Sequence, residues 1–90
     1  MKRATKLTPR KIPKQARAQA RVDLILDATA NLLETVGYDA VTTNAIADKA
    51  GVNVASLYQY FPNKQAIMAA LAHRMSEVWL KVYEDFPLDF

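Results

Sequence analysis

The most specific arrangement in this chain of 90 residues lies between Thr43 and Phe61, TNAIADKAGVNVASLYQYF. Counting Thr43 as the first position, apolar Ile46 stands fourth, small Ala47 fifth, Gly51 ninth and Leu57 fifteenth. Each has a mechanical task where two short helices cross. A methyl side chain at Ala47 lets the second helix pass close to the first. Ile46, Val52 and Leu57 bury the inner faces and set the crossing angle. Gly51 is expected at a corner where a Cβ would clash. This is the pattern of a helix-turn-helix, a unit whose second helix enters the major groove of DNA. A plain helical hairpin matches two or three of these positions, but not all of them at this spacing.

Other chemistries lack their residues. The chain has no Cys, which excludes disulfides, thiolate metal sites and thiol nucleophiles, and its single His73 cannot build a histidine cage. No nucleophile–base pair and no phosphate-cradling glycine loop is present, so neither an enzyme nor a bound metal or cofactor is expected. The apolar runs are far shorter than the roughly 20 residues that span a bilayer, so no membrane partner is expected. The start is basic but has no apolar stretch of the secretory kind. Pro9 and Pro13, with no Ser nearby, oppose an organelle transit helix. The expected location is the cytoplasm.

The net charge of +3 conceals a strong asymmetry. Eight of twelve basic residues (Lys2, Arg3, Lys6, Arg10, Lys11, Lys14, Arg17, Arg21) precede the first acid, Asp23. From there on, four basic residues face nine acidic ones. Residues 1–17 are therefore expected to form a basic, flexible arm. Such a run is either a solvated tail or a contact to phosphates and the minor groove, as homeodomain arms make.

The elements that would position these groups are all helical. Val22, Ile25, Leu26, Thr29, Leu32, Leu33 and Val36 recur at helical spacing, and Gly37 is expected to end that helix as a left-handed residue. Its start is open between Pro13 and about Val22, which aims Arg17 and Arg21 differently in each case. A short second helix follows Thr42-Thr43, either of which can cap it, and Gly51 ends it. Asn53 is expected to cap a third helix over Val54 to Tyr60, with Leu57 and Phe61 as core anchors. Pro62 and Asn63 interrupt the pattern. A fourth helix runs from about Lys64 past Val82, with Ile67, Met68, Leu71, Ala72, Met75, Val78, Trp79 and Val82 as its apolar stripe. His73 and Glu77, four residues apart, are expected to make a weak surface pair. No stretch alternates as a strand would. The fold class is all-α: a small bundle with a homeodomain-like three-helix unit and a longer fourth helix.

From Arg21 to Lys64 the chain resembles the DNA-binding domain of TetR-type transcriptional repressors. The resemblance rests on Ile25–Ala28, Gly37-Tyr38, Thr42-Thr43, Ile46-Ala47, Ala50-Gly51-Val52, Leu57-Tyr58, Phe61 and Lys64, in order. The sequence departs from the commonest family pattern at Asn53 (often Ser), Ala55 (often Gly), Ser56 (often Thr) and Tyr60 (often His). Asn53 keeps the capping chemistry and Ser56 a hydroxyl, whereas Ala55 alters how closely backbone approaches DNA.

Chemistry and resemblance together assign roles. Base edges fall to the start of the third helix, Asn53, Val54, Ala55 and Ser56, with Gln59 and with Asn44 from the second. Gln pairs with adenine and Val or Ala touches a thymine methyl, which leans towards A·T-containing half-sites. Phosphates fall to Thr43 at a helix N-terminus, to Tyr58, Tyr60 and Lys64 by resemblance, and to Arg17 and Arg21. Competing roles stand beside these: Tyr58 as a core aromatic, Tyr60 as plain surface, Gln59 facing solvent. Lys64 at the start of a helix opposes the macrodipole, a placement that a bound phosphate would justify.

The resemblance implies residues 18–82 as the DNA-binding domain, with the helix-turn-helix at about 43–62. It implies a palindromic double-stranded operator, a homodimer, and a small-molecule inducer bound by a C-terminal domain lying beyond this sequence. Residues 83–90 would begin the connection to that domain. The apolar Trp79, Leu80, Tyr83, Phe86, Leu88 and Phe90 look like a surface cut from a partner. The alternatives are a complete small protein that uses this surface for self-association, and a helical protein-interaction module with a nonspecific basic tail.

Overall fold

The computed structural model describes residues 14–85, and within them every regular element is helical. Helix α1 spans Lys14–Val36, α2 Thr43–Ala50, α3 Val54–Tyr60 and α4 Lys64–Asp85, with a single 3₁₀ turn at Tyr38–Ala40. The boundary expected after residue 17 falls inside α1, which is already helical at Lys14, so Arg17 and Arg21 ride on one continuous helix. The remainder of the basic arm, and Phe86, Leu88 and Phe90, lie outside the described residues.

One fully buried side chain from each helix meets at the centre: Ile25, Ile46, Leu57 and Ile67 are all 0% exposed. Val41 joins them from the segment between the 3₁₀ turn and α2, a core role that no periodicity announced. Phe61, Leu71, Leu26, Ala28 and Ala47 close the core, with α1 packed against α2 and α4, and α2 against α3. Thr29 is the buried polar exception, and its hydroxyl donates to the Ile25 carbonyl at 2.7 Å, so no polar group is left unpaired there.

Local chemistry starts and stops the short helices. Thr42, not Thr43, caps α2: its Oγ1 accepts from Ala45 N at 3.0 Å. Asn53 caps α3 by accepting from Ser56 N at 3.0 Å. Asn63, expected only as a breaker, caps α4 by accepting from Ala66 N at 2.8 Å.

Both glycines have positive φ, for reasons other than those expected. Gly51 (φ 74°, ψ 27°) is left-handed and ends α2 with two nested bonds, Gly51 N donating to Asp48 O and Val52 N to Ala47 O. A Cβ placed there would meet nothing within 4 Å, so the corner demands the torsion angle and no clash is involved. Gly37 is not left-handed in the helical sense: at φ 84° and ψ 164° it occupies a region reserved for glycine.

The two long helices outrun the core. In α1 the stripe is buried only from Ile25 to Thr29, flanked by half-buried Val22, Leu32 and Leu33, and Val36 is exposed. In α4 burial ends at Leu71; Ala72, Met75, Val78, Trp79 and Val82, expected on the buried stripe, are exposed, Trp79 by 65%. This departure has a plain cause, since α1 packs against the first turns of α4 and leaves the rest of that helix uncovered. His73 and Glu77 form no ion pair; the next residue, Arg74, instead reaches across to Asp27 on α1 at 3.0 Å.

Candidate nucleic-acid interface

Within residues 43–61 the formal charge is nil, with one acid (Asp48) and one base (Lys49). Anions approaching this unit therefore meet hydroxyls, amides and helix N–H groups; the flanking helices add individual bases but no net charge, since α1 and α4 each carry three bases against three acids. Thr42 caps α2 with its side chain, which places Thr43 in the first turn of the helix as a half-buried residue. Thr43 Oγ1 and Tyr58 Oη lie 2.8 Å apart, either one able to donate. That bond ties the start of α2 to the flank of α3 and puts both hydroxyls on one surface. Tyr58 is 47% exposed, so it is not a core aromatic.

The leading edge of α3 is open. Asn53, Val54, Ala55 and Gln59 are exposed and Ser56 is half-buried, while Leu57 anchors the opposite face. Because Asn53 Oδ1 accepts the cap bond, its side-chain N–H₂ group is left to donate elsewhere. Asn44, in the first turn of α2, is exposed as well. Tyr60 is half-buried and its ring packs against the core, which excludes the plain-surface role.

Lys64 opens α4 and sits half-buried against the turn after α1. Its Nζ donates to the Tyr38 carbonyl oxygen at 2.6 Å and lies 3.9 Å from the centroid of the Tyr38 ring. A cation at a helix N-terminus is opposed by about 0.3–1 kcal/mol of macrodipole energy. The Tyr38 ring offsets about 0.5–1 kcal/mol of this at an exposed site. The contact between Tyr38 and Lys64 spans 26 positions of sequence. Only the aromatic–Lys pair itself could have signalled it.

Arg17 and Arg21 are exposed on α1 ahead of the buried part of that helix, and among the described residues neither joins an ion pair. The candidates thus fall into groups: Thr43 with Tyr58, the α3 edge with Asn44, Lys64 with Tyr38, and the two arginines on the α1 extension. Among the described residues no cluster of three or more His, Asp or Glu side chains is placed to hold a metal ion. No helix among them is long and apolar enough to cross a membrane.

Residues 25–71, which contain the whole helix-turn-helix and its flanking anchors, match the bacterial regulatory proteins of the tetR family. The chain belongs to this family. It carries the tetR-type N-terminal DNA-binding domain, on the all-α fold expected for it. The HTH-type transcriptional repressor KstR of Mycobacterium tuberculosis is 44% identical over 55 residues, 60% of this chain and 25% of that protein. The HTH-type transcriptional regulator RutR of Escherichia coli is 32% identical over 78 residues, 86% of this chain and 37% of the other. A crystal structure of a TetR-family transcriptional regulator from Streptomyces coelicolor superposes with a TM-score of 0.66 at 46% identity, covering 68% of this chain and 36% of that one. The chain thus spans about a quarter to a little over a third of the length of these relatives. They are named as transcriptional regulators, and none as an enzyme.

Proposed function

We propose that this tetR-family domain reads a two-fold related DNA operator as one half of a homodimer and represses transcription there, in the cytoplasm. The observation that carries the reading is the Thr43–Tyr58 hydroxyl pair, which sets the start of α2 and the open edge of α3 on a common surface. With α3 in the major groove, Asn53, Val54, Ala55, Ser56 and Gln59 face base edges, joined by Asn44. Thr43, Tyr58, Tyr60 and Lys64 then meet the flanking phosphates, and Arg17 and Arg21 extend the contact along the backbone. The repressor names of relatives such as KstR support the direction of the effect.

Dimerisation and release by a small-molecule inducer belong to the same proposal and are assigned beyond residue 82, the relatives being longer than this chain. The exposed apolar half of α4, from Met75 to Tyr83, supports a covering partner there. That same surface favours a second reading, a helical protein-interaction module with a nonspecific basic tail.

Binding selection on random duplexes at moderate salt separates the two. Enrichment of an inverted repeat, with half-sites about one helical turn apart, is the expected result. Failure to enrich either a palindrome or a single half-site overturns operator recognition and leaves the interaction module. Within an enriched site, Ser56→Ala with Gln59→Ala should relax base preference, whereas Lys64→Ala should weaken all duplexes about equally.

A further inference from the structure

We propose that Tyr38 is a positioning residue of the DNA interface: its ring and carbonyl hold the Lys64 ammonium in place for a phosphate. This rests on the reading of Lys64 as a phosphate contact. Lys64 is the first residue of α4, where the helix N-terminus repels its charge, and a free lysine would swing into solvent. The structure restrains it twice, by the 2.6 Å bond to the Tyr38 carbonyl and by the ring 3.9 Å from Nζ. One of the three ammonium protons is taken by the carbonyl, and two are left to donate elsewhere. Asn63 fixes the backbone from which Lys64 projects, by capping α4. On the other side, Tyr38 begins the 3₁₀ turn between α1 and α2, and Val41 N donates back to its carbonyl at 3.1 Å. That carbonyl therefore accepts from two donors and is held by both.

A pre-oriented ammonium meets a phosphate without the rotamer loss that a mobile lysine suffers on binding. Because the ring acts through its face, the Tyr38 hydroxyl has no part in the effect. The ring is 50% exposed, and trimming it opens no core cavity.

The test compares Tyr38→Phe, Tyr38→Leu, Lys64→Met and the double variant Tyr38→Leu/Lys64→Met in the 90-residue chain. Affinity is read on a selected duplex and on one random-sequence duplex across a salt series, with thermal unfolding of each protein alongside. Tyr38→Phe should bind as the parent does. Tyr38→Leu should lose about threefold to fivefold on both duplexes, the equivalent of one exposed cation–π contact. Lys64→Met should lower the slope of log affinity against log salt by about 0.9, the signature of one phosphate. In the double variant the Tyr38 change should add nothing further. Equal losses in Tyr38→Phe and Tyr38→Leu, no loss in Tyr38→Leu, or a Tyr38→Leu loss that persists on the Lys64→Met background each overturn the positioning role while leaving Lys64 as a phosphate contact. An unchanged salt slope in Lys64→Met overturns both that contact and the positioning role.

Discussion

Replacing each glycine with alanine and then asparagine isolates what the two corners of this domain require. A new Cβ has open space at Gly37 and at Gly51, so neighbour contacts predict two equal and mild effects. The backbone angles predict otherwise. At Gly51 (φ 74°, ψ 27°) alanine enters the left-handed well at about 1–2 kcal/mol. Its restricted unfolded chain returns about 0.4–1 kcal/mol, for a net loss of roughly 0.5–1 kcal/mol. At Gly37 (φ 84°, ψ 164°) the conformation is open to almost no residue but glycine, at up to about 3 kcal/mol, and the net loss is about 2 kcal/mol. Asparagine tolerates the left-handed well through its local hydrogen bonding, and that tolerance does not extend to ψ near 180°. Gly51→Asn should therefore recover most of the Gly51→Ala loss, and Gly37→Asn should recover little. Urea titration followed by circular dichroism reads all four variants against the parent, with an unchanged m value confirming that stability alone has moved. Equal losses at the two positions, or rescue of Gly37 by asparagine, would refute the torsional explanation and show that the loops relax to other angles.

The core and the caps are tested in the same titration. Leu57→Ala, at a site with 0% exposure, should lose about 3 kcal/mol, and a loss below about 1 kcal/mol would mean that α3 is not anchored through this side chain. Thr42→Ala should lose about 1 kcal/mol while Thr43→Ala loses less, since only Thr42 accepts from Ala45 N; the reverse order would assign the cap to Thr43. Asn53→Asp should keep the cap and stability but weaken duplex binding, because a carboxylate replaces the N–H₂ group on the open edge of α3; unchanged affinity would remove Asn53 from the interface. Asp27→Asn should shift stability by less than about 0.5 kcal/mol, the Asp27 side chain being 70% exposed, and a larger loss would make that pair a structural tie between α1 and α4.

Much of this domain is written in short-range chemistry. Thr42 and Asn53 are capping residues wherever a helix follows them, and apolar residues three and four apart mark a helix face whatever it packs against. The helix-turn-helix spacing from Thr43 to Leu57 records the crossing of two short helices in a handful of positions, which is why that unit is legible in the sequence. Asn63 reads as part of a break because Pro62 precedes it, although the same side chain is the start signal of α4.

What tertiary structure decided lies beyond the reach of one helical turn. Thr43 and Tyr58 are 15 positions apart, and Lys64 and Tyr38 are 26, so whether they meet depends on how the helices cross. Periodicity marks Ile67 and Trp79 alike as stripe residues of α4, yet one is wholly buried and the other 65% exposed, because only the first turns of that helix find α1 across from them. The glycines divide the same way: sequence marked both corners, but the ψ angle that separates Gly37 from Gly51 is set by the direction in which the chain must leave each helix. Residue types determine which local conformations are open and which faces are apolar. Burial and pairing between distant side chains are settled only when those faces close on one another, because that is when water is excluded and a crossing angle is chosen.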